Sequence, residues 1–308
     1  MRARFALIGS LIVLCSASAY SQMADVIVAA DGSGDVRTVN EAIARVPEFN
    51  RKRYTIAIRP GTYVEQINIP VTKPFVTLIG DPAGGTKLSF DINSARAGTT
   101  SAAYAFYVGG HDFRAENITF ENAYDYKPGQ GGSQAVAVLA EADRIVFRKC
   151  RFLGWQDTLY AKNGRQYYVD SYIEGHVDFI FGQAAAVFEN CEIRSKGNGY
   201  IAAPMRFADN ERSGFVFFRS KLTANDGVTG VFLARPWRAF GRTVFIETEM
   251  GAHIRPEGWN NWGKTENEST AFFAESGSTG PGSDPSKRVA WARKLDKKAL
   301  DLFAPQAF

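Results

Sequence analysis

The sequence predicts an all-β fold, and within that class a parallel β-solenoid, from three observations. Six segments from residue 113 onward share a strand-like pattern of apolar residues around one small or polar position. These positions recur at spacings of 33, 21, 20, 29 and 28 residues, which is typical of solenoid coils with loops inserted on one face. The Asn-Gly turns of antiparallel hairpins are scarce, so a flat β-sandwich is the less favoured alternative. The six positions are Asn117, Cys150, Ser171, Cys191, Ser220 and Thr248.

The N-terminal segment has the layout of a secretory signal peptide over residues 1–19. Two arginines precede an apolar run, and Ala17, Ser18 and Ala19 offer a small-residue cleavage site. Its removal would lower the formal net charge from +4 to +2, because it takes two arginines and no acidic residue. We expect residues 20–308 to form one β-helix domain of a protein secreted to the extracellular space or the periplasm.

Composition limits the partners of the chain. It is 45% hydrophobic and 22% charged, as in a globular protein, and no membrane-spanning apolar run follows the N-terminal segment. So small a positive charge is weak evidence for any polyanionic partner, and no basic run or recognition motif indicates nucleic acid binding. We therefore expect neither a nucleic acid partner nor a membrane anchor.

The first elements should close the solenoid and begin its coils. Thr38 and Glu41 have the spacing of a capping box that opens a short helix ending at Pro47, and such a helix would cover the exposed core of the first coil. Residues 80–103, rich in Gly, Thr, Ser and Ala, indicate a loop. The predicted strands around these segments are Val26–Ala29, Tyr54–Ile58, Gln66–Ile69 and Phe75–Ile79.

The end of the chain predicts a helical tail. Val289, Leu295, Leu300 and Phe303 have helical spacing, and the residues between them are largely charged. We expect this C-terminal helix to fold back along the side of the solenoid.

The repeat register also bears on two cysteines. Cys150 and Cys191 occupy one column two coils apart, which corresponds to about 9–10 Å. A disulfide requires Cα atoms within about 7 Å of each other. We expect two free, buried thiols that behave as small hydrophobic side chains.

Two aspartates stand one coil apart. Asp157 and Asp178 are separated by 21 residues, and one solenoid coil returns the chain to a point about 4.8 Å above its start. Like charges so close together raise the pKa of one of the two carboxyl groups. A protonated acid beside an ionised carboxylate can act as general acid and nucleophile.

Two glutamines and an arginine complete this group. Gln134 and Gln156 are 22 residues apart and should stack beside the aspartates, where their amide N–H groups could donate to an oxyanion. Arg235 could hold one carboxylate ionised and oriented. Singly, such residues are usually ladder, turn or loop-anchoring residues. Their combination indicates acyl transfer.

Other hydrolytic chemistry has little support in the sequence. There is no G-x-S-x-G segment, and only His111, His176 and His253 could serve as a base for a serine nucleophile. His176 should face the same side as Asp178 without contacting it. No histidine or cysteine cluster has metal-ligand spacing, so we predict no metal site.

Five ordered segments resemble the signature blocks of the pectin methylesterase family. The resemblance runs from about residue 26 to residue 305. It implies a right-handed parallel β-helix that removes methyl esters from polygalacturonate without a cofactor. The segments are Gly61–Glu65, Gln134–Val138, Gly154–Leu159, Asp178–Gly182 and Leu233–Trp237.

The resemblance also implies roles for individual residues. Asp178 would attack the C6 carbonyl, and Asp157 would protonate the departing methanol and then deprotonate water. Gln134 and Gln156 would stabilise the oxyanion, and Arg235 would hold Asp178. Aromatic residues matching those of the family's sugar groove, where flat rings stack on apolar sugar faces, are Tyr160, Phe181 and Trp237. Core packing is the competing interpretation for Phe181.

Two other functions stay open at this point. A β-helical lyase or glycosidase acting on the same polymer is one alternative, since paired carboxylates also suit a retaining glycosidase. A non-catalytic carbohydrate-binding solenoid is the other, and it would need the aromatic residues but not the aspartates. The expected partner is methyl-esterified polygalacturonate (pectin), bound by a monomer.

Overall fold

A computed structural model describes residues 24–82 and 84–295, whose strands form a right-handed parallel β-helix. Two long sheets run along the stack, and neighbouring strands in each sheet come from successive coils. Every strand pair in the described part of the chain is parallel, whereas a β-sandwich of hairpins would pair its strands antiparallel. The predicted fold class is confirmed.

Most elements are short, as expected when each coil turns between two sheets, and the exceptions are β15 with 11 residues and β17 with 13. The first sheet contains β1 Val26–Val28, β2 Tyr54–Ile58, β5 Val76–Gly80, β8 Arg114–Glu116, β11 Ile145–Arg148, β14 Arg165–Val169, β16 Ala185–Glu189, β18 Gly214–Phe218, β21 Arg242–Ile246, β23 Phe272–Ser276 and β24 Arg293–Lys294. The second contains β3 Gly61–Val64, β4 Ile67–Ile69, β6 Thr86–Phe90, β7 Tyr104–Val108, β9 Thr119–Asn122, β10 Val136–Ala140, β12 Arg151–Leu153, β13 Leu159–Ala161, β15 Tyr172–Gly182, β17 Glu192–Pro204, β19 Lys221–Ala224, β20 Phe232–Ala234 and β22 Glu249–Met250. The helices are α1 Val39–Arg45, α2 Ser94–Ala97 and α3 Asn267–Thr270, with 3₁₀ turns at Thr100–Ala102 and Pro285–Lys287. None of the described helices is long and apolar enough to span a bilayer.

The interior is filled by columns of aligned side chains. In one column, successive rings stack nearly parallel, with interplanar angles of 7–13° and centroid separations of 4.4–5.3 Å. These separations are close to the spacing of hydrogen-bonded strands, so the backbone register itself brings the rings into contact. The column is formed by Phe147, Tyr168, Phe188, Phe217 and Phe245.

A residue with left-handed backbone conformation precedes five of the six positions of the predicted repeat column, the exception being Asn117. The predicted spacings of 21, 20, 29 and 28 residues are confirmed by the strand register. The first spacing is wrong, because β9 and β12 pair with an offset of 32, which puts Ile118 rather than Asn117 opposite Cys150. Asn117 occupies the preceding corner instead, with φ of 57°, and Lys149 is its counterpart with φ of 50°. Asparagine tolerates this conformation better than most residues, which suits it to the corner.

Helix α1 packs its buried residues against the core at the N-terminal end of the β-helix. Its first turn has the predicted capping box. The Thr38 side chain accepts a hydrogen bond from the Glu41 N–H at 3.2 Å, and the Glu41 carboxylate accepts one from the Thr38 N–H at 3.1 Å. Glu65 adds a second cap, since its carboxylate accepts the N–H groups of Val39 at 2.7 Å and Asn40 at 3.0 Å. A carboxylate at this helix end satisfies free backbone donors and interacts favourably with the helix dipole.

The prediction of a loop over residues 80–103 is wrong. This segment contains β6, α2 and a 3₁₀ turn. The side chain of Asn93 accepts from the Arg96 N–H at 3.1 Å, and that of Thr99 accepts from the Ala102 N–H at 3.2 Å. The small polar residues that indicated a loop therefore cap short helical turns.

The prediction of a C-terminal helix is wrong for the residues of this segment that the structure describes, which end at residue 295. Up to residue 295 the chain forms a 3₁₀ turn and β24, which pairs with β23. Arg288 explains the difference, because its guanidinium pairs with Glu275 at 2.7 Å and donates to three backbone carbonyl groups, which ties the segment to the coils below it. Leu300 and Phe303 lie outside the described residues, as does the predicted signal peptide 1–19.

The two cysteines are free and buried, as predicted. Burial raises the pKa of both thiols to about 12, so neither is ionised near neutral pH. Serine side chains of the next coil accept the backbone N–H groups of Cys150 and Cys191. The column is therefore structural.

Candidate active site

The two predicted carboxylates lie on adjacent coils at the same position along the strand. Residues of β13 and β15 pair with an offset of 21, and the Asp157 N–H donates to the Val177 carbonyl at 3.1 Å. Asp157 and Asp178 have φ of 64° and 52°, the left-handed conformation that aspartate adopts more readily than most residues. β15 also shifts register against β17 between Val177 and Ile180. These local irregularities interrupt the inward and outward alternation of the strands and present both carboxyl groups to one cleft.

Arg235 binds one carboxylate of the pair. Its Nε donates to Asp178 Oδ1 at 2.9 Å and its Nη2 donates to Asp178 Oδ2 at 2.6 Å, which is a bidentate ion pair. The guanidinium carbon lies 3.8 Å from the ring centres of both Tyr200 and Trp262. The predicted contact of Arg235 with Asp178 is present, whereas the two aromatic residues that hold the arginine had no signal in the sequence.

The two carboxyl groups differ in their electrostatic surroundings. Asp157 and Asp178 are only 8% and 7% exposed. Burial, followed by the negative charge of Asp178, raises the pKa of Asp157 well above its ordinary value. Burial also raises the pKa of Asp178, but the hydrogen bonds and charge of Arg235 oppose this. These surroundings favour Asp157 as the member of the pair that holds a proton and Asp178 as the ionised member.

Gln134 and Gln156 line the same cleft. The Ala135 N–H donates to the Gln156 carbonyl at 3.1 Å, which agrees with the predicted pairing of the two glutamines on successive coils. Ser94 of α2 donates its hydroxyl to Gln134 Oε1 at 2.5 Å and its backbone N–H to the Gln134 carbonyl at 2.8 Å. Because Gln134 Oε1 accepts the hydrogen bond from Ser94, the amide N–H₂ group of Gln134 points away from Ser94 and can donate to another acceptor. Sequence reasoning missed Ser94, which lies in the supposed loop.

Three aromatic side chains that contact one another line part of the cleft. Tyr160 and Phe181 stack at 4.2 Å with an interplanar angle of 21°, and Trp237 meets both edge-on at 6.3 and 5.9 Å. Phe181 is only 4% exposed, so it packs as a core residue, and it also lines the cleft. The core interpretation and the groove interpretation of this residue therefore each describe part of its position. The cleft has a volume of about 380 Å³. Further lining residues are Thr99, Thr100, Ser101, Ala203 and Trp262.

The histidines have other partners. His176 contacts the Tyr126 hydroxyl at 3.1 Å and the Asn198 carbonyl at 2.8 Å, and it does not line the cleft. His111 lies beside Asp112 at 2.6 Å, and burial lowers the pKa of His253 to about 4. Within the described ranges, no group of three or more His, Cys, Asp or Glu side chains is arranged to hold a metal ion.

The sequence and the fold that carry this cleft are similar to those of known proteins. The sequence profile of the pectinesterase family matches residues 25–308. The chain belongs to the pectinesterase family. Among its relatives, pectinesterase 31 of Arabidopsis thaliana is 44% identical over 291 residues, which covers 91% of this chain and 90% of the relative.

Solved structures have the same fold as this pectinesterase. Pectin methylesterase from carrot matches with a TM-score of 0.87 at 32% identity, covering 92% of both chains. A pectin methylesterase in complex with a hexasaccharide matches with a TM-score of 0.80 at 25% identity, covering 92% of this chain and 96% of that one. The resemblance seen in the five signature blocks is confirmed, and the enzyme class is that of the pectin methylesterases.

Proposed function

We propose that this pectinesterase hydrolyses methyl esters at the C6 carboxyl groups of galacturonate units in pectin with an aspartate nucleophile, releasing methanol. The observation that supports this most strongly is the asymmetry of the carboxylate pair. Arg235 donates two hydrogen bonds to Asp178 and is not hydrogen-bonded to Asp157. An ionised nucleophile next to a protonated acid is the arrangement that ester cleavage by covalent catalysis requires.

In the first half-reaction, an Asp178 carboxylate oxygen attacks the C6 carbonyl carbon of the substrate. The carbonyl oxygen gains negative charge, and N–H groups of Gln134 and Gln156 donate hydrogen bonds to it. When the tetrahedral intermediate collapses, the bond from carbon to the methoxy oxygen breaks and Asp157 gives its proton to that oxygen. Methanol leaves, and an acyl anhydride joins Asp178 to the sugar.

In the second half-reaction, water attacks the same carbonyl carbon. Asp157, now ionised, takes a proton from the water, and the bond between the acyl carbon and the Asp178 oxygen breaks. The sugar departs with a free C6 carboxyl group. Asp178 is again ionised and paired with Arg235, and Asp157 is again protonated, so the enzyme returns to its starting state.

The surroundings of Arg235 contribute by preorganisation. Tyr200 and Trp262 sandwich the guanidinium, so the two donors to Asp178 stay in place while charge moves during the reaction. Trp237, Tyr160 and Phe181 would bind the sugar, because flat rings stack on the apolar faces of pyranoses. We further propose that residues 1–19 are a signal peptide, and that residues 20–308 act as one monomeric, secreted domain.

The proposed function is tested by incubating the protein with highly methyl-esterified pectin while methanol, acid groups and polymer length are followed together. We expect methanol and acid in equal amounts at unchanged polymer length. Shortening of the polymer would indicate a lyase or glycosidase instead. Pectin binding without methanol release would indicate a carbohydrate-binding protein.

The nucleophile is tested by replacing Asp178 with alanine. We expect methanol release to be abolished in a protein that still folds, as judged by circular dichroism. Asp170→Ala is the matched control, because Asp170 is an exposed aspartate with the same left-handed backbone (φ of 52°) outside the cleft. Full turnover by Asp178→Ala, or an equal loss in Asp170→Ala, would refute the assignment.

A further inference from the structure

His176 lies next to the carboxylate pair, where the regular pairing of strands is interrupted. The register of β15 against β17 shifts twice between residues 175 and 180. Asp178 lies within this stretch and has left-handed backbone, as does Asp157 on the preceding coil. Such a conformation at a residue other than glycine persists only where the surrounding structure holds it. The contacts that hold the chain just before each aspartate therefore help to position its carboxyl group.

The His176 side chain joins segments from different coils. Its Nε2 lies 2.8 Å from the backbone carbonyl oxygen of Asn198, in β17 of the next coil. Its Nδ1 lies 3.1 Å from the hydroxyl of Tyr126, in the segment between β9 and β10. Because a carbonyl oxygen only accepts, Nε2 carries the proton, and Nδ1 of the neutral ring accepts from the tyrosine hydroxyl.

Two glycines leave room for this imidazole. A Cβ atom on Gly197 would lie 2.8 Å from His176 Cδ2 and 2.9 Å from Nε2, and one on Gly199 would lie 2.5 Å from the His176 carbonyl oxygen. Neither glycine has a positive φ, so the backbone conformation would accept other residues. Close approach of His176 is the constraint at both positions.

The same contacts hold the segment that leads to Asp157. The His176 N–H donates to the Trp155 carbonyl at 2.9 Å. The Trp155 ring stacks on that of Tyr126, with a centroid separation of 5.3 Å and an interplanar angle of 12°. Trp155 is two residues before Asp157, and His176 is two residues before Asp178. One cluster therefore anchors the approach to both aspartates.

The connection continues towards Arg235. The Asn198 side-chain oxygen accepts the N–H groups of Thr229 at 3.0 Å and Gly230 at 2.9 Å. These two residues precede β20, and Arg235 directly follows that strand. His176 thus contacts the residue that fixes the start of the arginine segment.

We propose that His176 is a positioning residue, which through Tyr126, Trp155 and Asn198 keeps the carboxyl groups of Asp157 and Asp178 aimed at one substrate carbonyl. This proposal rests on the proposed function, because it takes the two aspartates to be the catalytic pair. The imidazole does not line the cleft, so it acts on the reaction through the backbone. The nucleophile and the acid must reach the same acyl centre, and a displacement of about 1 Å can cost about 10²-fold in rate.

Initial rates of methanol release test this role. We expect His176→Ala to lower kcat about 10–10²-fold and to change KM less than about twofold, because the aligned pair matters most in the transition state. His176→Gln keeps a side-chain N–H that can donate to the Asn198 carbonyl, and it should recover most of the loss. Tyr126→Phe removes one hydroxyl and should lower kcat about two- to tenfold. His111→Ala is the matched control, since His111 is bonded to Asp112 and does not line the cleft, and it should change neither constant.

Gly197→Ala tests the fit of the ring. The added methyl group would press on the imidazole, so kcat should fall in the wild-type background. The same change should have little further effect in His176→Ala, where the ring is absent. Equal losses in both backgrounds would contradict the proposal, because Gly197 would then act independently of His176.

Hydrogen exchange gives a readout that does not depend on activity. Amides of residues 155–158 and 176–180 should exchange faster in His176→Ala, whereas those of β21 should stay unchanged. An unchanged midpoint of urea unfolding shows that the fold is intact, and Tyr126→Phe provides the same test if His176→Ala does not fold.

Three results would overturn the positioning role. They are an unchanged kcat in folded His176→Ala, a rise in KM at constant kcat, and a His176→Gln variant no more active than His176→Ala. Unchanged exchange around the aspartates would also contradict it. Absence of methanol release by the wild-type protein would instead refute the proposed function, while the exchange measurement would still test the role of His176, so either idea can fail alone.

Discussion

Replacing Ser94 by alanine should slow catalysis without weakening substrate binding. Ser94 donates its hydroxyl to Gln134 Oε1 at 2.5 Å and is not a lining residue of the cleft. Without this donor, the side-chain amide of Gln134 is free to turn over and present its oxygen to the developing oxyanion. That arrangement is repulsive in the tetrahedral intermediate and matters less in the bound ester, so kcat should fall while KM stays nearly constant.

The magnitude follows from the contact that is removed. A neutral hydrogen bond contributes about 0.5–1.5 kcal/mol net, and 1.36 kcal/mol corresponds to about a factor of ten in rate. We therefore expect Ser94→Ala to lower kcat about two- to twelvefold. Gln134→Ala removes the oxyanion donor itself and should cost about 10²–10³-fold, which sets the upper limit.

The assay is initial-rate methanol release for wild type, both single variants and the Ser94→Ala/Gln134→Ala double variant. If Ser94 acts through Gln134, its replacement has no further effect once Gln134 is gone, and the double variant equals Gln134→Ala. Ser94→Thr keeps a hydroxyl and should restore most of kcat. An unchanged midpoint of urea unfolding shows that Ser94→Ala leaves the fold intact.

Two results would refute this reasoning. The first is a rise in KM with unchanged kcat, which would place Ser94 in substrate binding. The second is an equal loss from Ser94→Ala in the wild-type and Gln134→Ala backgrounds, which would show that the serine acts independently of the amide.

Further predictions concern the arginine, the acid and the N-terminal cap. Arg235→Gln should lower kcat by about 10²–10⁴-fold, if the about 3–5 kcal/mol lost when a buried carboxylate loses its charged partner is expressed in the rate, because Asp178 is then protonated more easily; an unchanged rate in the folded variant would contradict the role of Arg235. The folded-state pKa of Asp157 is raised above its unfolded value, so its contribution to stability is present at acid pH and lost as the pH rises through the folded pKa. Asp157→Asn should therefore raise the melting temperature at neutral pH and raise it less in acid, and the reverse order would show that Asp157 is not a buried acid. Glu65→Ala should lower the free energy of unfolding by about 1–2 kcal/mol in urea titrations, because the first N–H groups of α1 lose their acceptor, while kcat stays unchanged. A clear loss of kcat in the folded variant would instead connect Glu65 to the site.

Much of the site could be predicted because a β-helix converts sequence spacing into position. Offsets of 21 and 22 residues brought Asp157 next to Asp178 and Gln134 next to Gln156, and the structure has both pairings. The errors occurred where the chain departs from this regularity. The sequence pattern places the repeat around Asn117 one residue too early, because the same small or polar residue types occur at corner and column positions. The composition of residues 80–103 predicts a loop, although the segment contains helical turns, because helix-capping and loop residues are the same types.

By itself, the sequence determined the coil architecture, the family and the residues that meet in the cleft, because these depend on periodic spacing and on short ordered motifs. The family resemblance implied that Asp178 is the ionised carboxylate, and tertiary structure alone supplies the contacts and the burial that favour this assignment. Arg235 reaches Asp178 across 57 residues, and it is positioned by rings at Tyr200 and Trp262 that come from separate segments of the chain. Contacts of a loop residue such as Trp262 follow no period, and burial depends on all the coils together, so neither can be deduced from the order of the residues.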